Sequence, residues 1–204
     1  RAVEPEPFRR AVNDALPHDL HVLALSSADP RFHARHAALA RSYVYQIALR
    51  RTAFAKRYVW WVRRPLDAAR MSAAAALLAG RHDFVRFCER AAEQPSTLVV
   101  VERAELVRAD ALLLVRLVAS HFLWKMVRRL VGALVRVGSG ELARDEFASL
   151  LAGDALPPER GAPAAWTAPP SGLFLERVLY PGEPALEPLR PAVPLAEAPP
   201  WLAR

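Results

Sequence analysis

The chain has 204 residues, of which 53% are hydrophobic, enough to bury a core in one ordinary domain or two small ones and to exclude wholesale disorder. Lys and Arg number 28 against 21 acidic residues, a net charge of +7 that favours an acidic partner, nucleic acid being the commonest. A single cysteine, Cys88, excludes an internal disulfide framework and a multi-cysteine metal site, no apolar run is long enough to span a membrane, and the opening RAVEPEPFRR is not a signal peptide, so a soluble cytoplasmic protein is expected.

The first seven residues are polar with two prolines and read as a loop. Phe8 to Leu16 reads as a short helix stopped by Pro17, and His21 to Leu25 (HVLAL) as a short strand. Asp29-Pro30 centres a turn. Ser42 to Leu49 alternates, with Tyr43, Tyr45 and Ile47 on one side and Val44 and Gln46 on the other, as a strand does. Its approach is basic, through His33, Arg35, His36 and Arg41. His33 and His36 have no cysteine or carboxylate cluster beside them, so no metal is expected there. Arg51 to Arg64 (RTAFAKRYVWWVRR) sets Tyr58, Trp60 and Trp61 among cations, a composition that suits RNA stacking and a half-buried strand equally.

Asp67 to Leu78 is Ala-rich and helical, ending at Gly80, and GRHDFVRFC (80–88) follows as a tight turn into an ordered segment with Phe84 and Phe87 in the core. Leu98 to Val107 and Ala111 to Ala119 are Val- and Leu-rich strands joined at Arg108-Ala109-Asp110 as a hairpin. Ser120 to Gly138 (SHFLWKMVRRLVGALVRVG) reads as one amphipathic helix, with Ser120 as its N-cap and Gly138 as its stop. Phe122, Leu123, Met126, Val127, Leu130, Val131 and Leu134 share the apolar face, and His121, Lys125, Arg128, Arg129, Gly132 and Arg136 the opposite, basic stripe. Gly132 weakens a helix unless something must approach closely there. Arg128 lies at the border of the two faces, where a partly desolvated guanidinium forms a fork for a carboxylate or phosphate. A second helix over Glu141 to Leu151, a loop over Pro157 to Pro170, a strand over Leu173 to Val178 and an extended, proline-rich tail complete the chain. The pattern has no clean βαβ period, no P-loop, no G-x-S-x-G and no H-E-x-x-H. It fits an α+β domain, a mainly antiparallel sheet with helices on one face.

Four stretches in this order, FHARHAALARSYVYQI (32–47), GRHDFVRFC (80–88), HFLWKMVRRLVGALVRVG (121–138) and TAPPSGLFLERVLYP (167–181), resemble the TruA-type tRNA pseudouridine synthases. The third matches the helix form F-x-x-x-M-V-R-x-x-V-G at Phe122, Met126, Val127, Arg128, Val131 and Gly132, and the first matches an F-H-A-R segment followed by Y-x-Y. The resemblance implies a pseudouridine synthase fold, α+β, with residues 1–180 as the catalytic region and 181–204 as a proline-rich tail. It implies a homodimer that isomerises uridines of the tRNA anticodon stem-loop, at positions 38 to 40, without cofactor or metal.

The family's nucleophile is an aspartate in R-T-D-x-G-V-H. None of Asp14, Asp19, Asp29, Asp67, Asp83, Asp110, Asp145 and Asp154 follows Arg-Thr. The resemblance therefore places the nucleophile upstream of Arg1 and makes the chain as given inactive by itself. By the same resemblance Tyr43, first of Y-x-Y, packs against the flipped uracil and helps remove the C5 proton. Arg128 pairs with the nucleophilic carboxylate, which a bidentate guanidinium keeps ionised in an enclosed site. Arg35, Arg41, Lys125 and Arg129 are the candidates for tRNA phosphate contact. Two departures stand out. Trp124 and Lys125 occupy positions where family helices often carry His, and Pro95 to Val100 lacks an expected arginine. The alternative reading is a catalytically inactive TruA-like module that binds RNA or a partner protein.

Overall fold

The structure, a computed structural model, describes residues 3–89 and 96–197. Contacts divide the chain into two compact units at Ala37/Ala38.

In the first unit helix α1 (Pro5–Ala15) begins earlier than expected, because Pro5 and Pro7 fall in its first turn, where a missing N–H costs nothing. HVLAL is extended but is not a strand, because no neighbouring strand pairs with it. Asn13 of α1 takes that place for one residue: its Oδ1 accepts the Val22 N–H at 2.7 Å and its Nδ2 donates to the Val22 carbonyl at 3.0 Å.

The second unit is a six-stranded sheet with helices on one face, the α+β architecture. Its strands are β1 (Ala40–Ala48), β2 (Trp60–Trp61), β3 (Gly80–Asp83), β4 (Leu98–Ala109), β5 (Leu112–Ala119) and β6 (Leu173–Leu179). The order is β2-β1-β5-β4-β3, with β6 also paired to β1. All pairings are antiparallel except β1 with β2. One edge of β1 runs along β5, and the other is shared end to end by β6, opposite Ala40 to Tyr45, and β2, opposite Ile47 and Ala48. The β4–β5 hairpin turns tightly at Asp110-Ala111, with Asp110 in the left-handed region at φ 49°. The part of Pro95 to Val100 from Ser96 onward leads into and forms the start of β4; Pro95 lies outside the described residues.

The alternation in β1 divides as expected. Tyr45 and Ile47 enter the main core with Leu113, Val115 and Leu117 of β5 and with α2 (Ala68–Ala75), α3 (Met126–Gly138) and α4 (Arg144–Leu151). On the opposite face Ala48, Leu112 and Leu114 pack with Ala55, Val59 and, from the tail, Leu195. Gln46 accepts the Val193 N–H at 3.2 Å and donates to the Tyr58 carbonyl at 3.0 Å, so the extended tail is stitched to β1. The same face buries Arg116 to 1% exposure, with Nε and Nη2 donating to Glu176 of β6 at 2.8 and 2.5 Å and Nη1 to Glu105 of β4 at 3.0 Å.

Two helices are shorter than their sequence patterns. The apolar spacing of Phe122 and Leu123 extends the period of α3 backwards, but Lys125 adopts φ 62°, ψ 1° and the helix starts at Met126. Ser120 is not a cap: it continues β5, its N–H donating to the Val100 carbonyl at 3.1 Å. The Glu141 helix starts at Arg144, because Glu141 is held by Arg64 and by Arg136, the latter at 2.9 Å, and because Glu146 closes the turn by accepting the Ala143 N–H at 2.7 Å.

Nor does α3 carry a solvated basic stripe. It is buried on nearly every side, against the sheet on one and the 166–168 segment on another. That segment crosses at Gly132, where a Cβ would overlap the Trp166 carbonyl oxygen. The glycine is thus a contact surface for backbone. Gly132→Ala is expected to lower the unfolding free energy by about 2–3 kcal/mol, the overpacking penalty for a rigid neighbour, measured by urea denaturation. An unchanged midpoint would mean that the segment is free to lift.

Candidate active site

The elements around α3 converge on a pocket of about 300 Å³, lined by Tyr43, Phe122 to Arg128, Pro170 and Leu173. That is the low end of small-ligand sites. Tyr43 comes from β1, opposite Leu117 on β5 and Leu175 on β6, and is half-buried. Its ring meets Phe122 edge-on, with centroids 4.9 Å apart at 80°. Among the described residues its hydroxyl has no hydrogen-bond partner.

Arg128 is fixed from two directions by one residue. Its Nε donates to the Ala168 carbonyl at 2.6 Å, and its own carbonyl accepts the Ala168 N–H at 3.0 Å. The segment then descends toward β6. The Tyr45 hydroxyl donates to the Pro169 carbonyl at 2.7 Å, and Ser171 Oγ donates to the Val59 carbonyl at 3.2 Å. Gly172 lies so close to the Tyr45 ring that a Cβ would clash with it. Burial pushes the Tyr45 phenol well above its ordinary value, against the lowering effect of the Arg128 charge, so it remains a proton donor to Pro169. With Nε engaged, the two terminal nitrogens of Arg128 form the remaining side of the fork and have no acceptor among the described residues. No carboxylate is among the lining residues. The site therefore offers an aromatic face, a phenol and a preoriented cation to whatever enters.

Lys125 also lines the pocket, but its ammonium is paired with Glu89 at 2.5 Å. That contact braces an elbow. The left-handed backbone at Lys125 costs roughly 1–2 kcal/mol. It is offset by the ion pair, by the Glu89 N–H donating to the Trp124 carbonyl at 3.0 Å and by the Met126 N–H donating to Leu123 at 3.1 Å.

The other basic candidates are placed differently. Arg129 is buried rather than on an open stripe. It donates to the Cys88 carbonyl, stands 3.7 Å from Glu89, and leaves its Nε buried without a partner among the described residues. The reason is the burial of α3 on this side. Arg41 is half-buried and donates to the Ser120 carbonyl at 2.8 Å, tying the start of β1 to the end of β5. Arg35 is exposed in the first unit, in a turn where the His33 Nδ1 accepts its backbone N–H at 3.2 Å. Tyr43, Lys125 and Arg128 are thus brought together in one pocket, whereas Arg41 and Arg129 are not among its lining residues. The sequence reading missed Trp124, Pro170 and Leu173 as pocket residues. For the last two the signal was Pro169-Pro170-Ser171-Gly172, a turn that sets the following strand against Tyr43.

Among the described residues no group of three or more His, Cys, Asp or Glu is arranged to hold a metal ion, and no helix is long and apolar enough to cross a membrane. In the basic-aromatic stretch, Trp61 is half-buried, with the guanidinium groups of Arg51 and Arg63 at 5.6 and 5.3 Å from its ring centre.

Residues 74–181, which carry most of this pocket, match the model of a family described as tRNA pseudouridine synthase. The chain belongs to that family. It is 33% identical to tRNA pseudouridine synthase A of Geobacillus sp. (strain WCH70) over 88% of its own length and 71% of that protein's. The corresponding values are 37%, 84% and 62% for tRNA pseudouridine synthase A of Methylococcus capsulatus, and 41%, 79% and 64% for that of Mesorhizobium japonicum. The chain therefore spans about two thirds of the length of the curated relatives it matches. The α+β sheet with its flanking helices is consistent with the fold of this family.

The Lys125 ammonium, hydrogen-bonded to Glu89, holds that carboxyl below its ordinary value of 4.5, against a smaller opposing effect of burial. Its folded value is depressed, so the stabilisation is complete above pH 4.5 and is lost as the pH falls through the lowered folded value. Glu89→Gln is expected to make stability less dependent on pH across that acid window, read from urea midpoints at successive pH values. Parallel profiles for the two proteins would show that the pair contributes nothing to the elbow.

Proposed function

We propose that this chain is the major part of a tRNA pseudouridine synthase that converts uridine to pseudouridine in the anticodon stem-loop, without cofactor or metal. The observation that carries this reading is the convergence of Tyr43 and a doubly anchored Arg128 on one small pocket. In the reaction the N1–C1′ bond of the target uridine breaks, the base turns and a C5–C1′ bond forms. N1 ends with a proton and C5 loses one, so the change is an isomerisation with no oxidant or co-reactant. The base must leave the helical stack to react, and the Tyr43 ring is a face on which it rests. The Tyr43 hydroxyl, with no partner among the described residues, is the group placed to assist removal of the C5 proton.

Arg128 pairs through its two terminal nitrogens with the nucleophilic aspartate and keeps it ionised. In this reading that aspartate lies upstream of Arg1, since no aspartate of the chain follows Arg-Thr and no carboxylate lines the described pocket. Residues 1–180 then belong to the catalytic region, and 181–204 form its tail. Lys125 and the exposed Arg35 contribute to phosphate contact, and the protein works as a cytoplasmic homodimer, as the family resemblance implies.

In the intact protein from its source, Arg128→Ala is expected to reduce turnover by at least about a hundredfold and Arg128→Lys nearly as much, because an ammonium lacks the fork. Tyr43→Phe is expected to lose a similar factor. All three should still bind tRNA. The assay is tritium release from tRNA labelled at uridine C5, with filter binding in parallel. Turnover retained in the Arg128 and Tyr43 variants would overturn these roles. Binding without any product from the wild-type protein would favour an RNA-binding module.

A further inference from the structure

The elbow that precedes α3 sorts its side chains sharply. Phe122 turns in against Tyr43, and Leu123 and Met126 enter the core, while Trp124 is left 67% exposed. It is not a stray surface residue, because it lines the same pocket as Tyr43 and Arg128. Its backbone is fixed, the carbonyl accepting the Glu89 N–H at 3.0 Å, while its indole N–H has no partner among the described residues. The indole is therefore rigid at its root and open at its surface, on the rim of a pocket whose charged lining residues are Lys125 and Arg128. The nearby carboxylate of Glu89 is already paired with Lys125.

We propose that Trp124 is a stacking platform for the nucleobase next to the target uridine. This rests on the reading of the pocket as a uridine-isomerising site. Extruding one base strips its neighbour of a stacking partner, and a fixed indole at the pocket rim supplies a replacement face. The occupant is an RNA base rather than an apolar side chain because the pocket that Trp124 lines is the one that takes the uridine, which brings the adjoining bases of the same strand to its rim, and because every base has a π-face whatever its sequence. The consequence is a substrate preference: the site favours targets whose neighbour is free to unstack, in a loop or at the end of a stem, over targets inside a continuous duplex.

The test uses the intact protein with Trp124→Ala, Trp124→Phe and Trp124→Leu, on stem-loop RNA carrying either the normal base or an abasic site on each flank of the target. Trp124→Ala is expected to raise KM about tenfold, the lower end of what one stacked base is worth, with the loss falling on KM rather than kcat. Trp124→Phe restores most of the loss and Trp124→Leu does not. An abasic site at one of the two flanks brings the wild type down to the level of Trp124→Ala and costs that variant nothing further. Equal abasic penalties in both proteins at both flanks, full rescue by Leu, a loss confined to kcat, or a lowered melting temperature for Trp124→Ala would overturn the assignment. RNA affinity measured on the same set separates the two readings. If the wild type makes no pseudouridine yet shows the base-dependent binding loss, the isomerase reading falls and the stacking role stands. If product forms and Trp124 is silent, the stacking role falls alone.

Discussion

The paired hydrogen bonds between Arg128 and Ala168 are the constraint on which the rest of the site depends. A guanidinium reaching into a pocket from a helix has four rotatable side-chain bonds, and fixing it in one geometry costs entropy. Here the residue that receives its Nε also donates to its main chain, so the side chain is bound at its root and near its tip by one segment. That segment can come so close to α3 because residue 132 has no side chain. The glycine that weakens the helix in isolation thus permits the contact that orients Arg128. Tertiary packing compensates for poor helix propensity, as it does for most helices in folded domains.

The far end of the same segment is held by the sheet. It enters β6, which is paired with β1 and tied to β5 and β4 through the buried Arg116 and its partners Glu176 and Glu105. Removing a guanidinium from water is expensive, and the cost is offset here by two carboxylates and by the Ser42 hydroxyl, which donates to Glu176 at 2.6 Å. Strand β1 is the common partner. It carries Tyr43 into the pocket, Tyr45 under the crossing segment and Gln46 against the tail. The placement of Tyr43 and Arg128 in the pocket and the assembly of the sheet therefore share the same strands and the same crossing segment.

Several parts of this arrangement were legible in the chain. The alternation over Ser42 to Leu49 put Tyr45 and Ile47 on one side of a strand and Val44 and Gln46 on the other, because strand periodicity is a local property; which side meets the helices was not contained in it. The hairpin over β4 and β5 was legible for the same reason. Gly132 was recognisable as a place of close approach, though its neighbour was not. Elsewhere local pattern misled. Phe122 and Leu123 fall on the helical period of Met126 and Val127, yet an ion pair between Lys125 and the distant Glu89 supports a backbone turn that no propensity favours. Arg129 is formally on the polar stripe but is drawn inward by the Cys88 carbonyl. HVLAL has strand composition and no strand partner.

The sequence by itself determined the class of fold, the two residues at the heart of the pocket and the family, because these rest on short-range periodicity and on motifs whose residues keep their spacing. The tertiary structure decided which cations are available, where α3 begins, and that Trp124 stands at the rim. Each of these depends on a partner remote in the chain, Cys88, Glu89 or Ala168, and on how deeply a helix is enclosed. A linear pattern contains the residues for such contacts but not the choice among them, since that choice follows from which groups desolvation forces together.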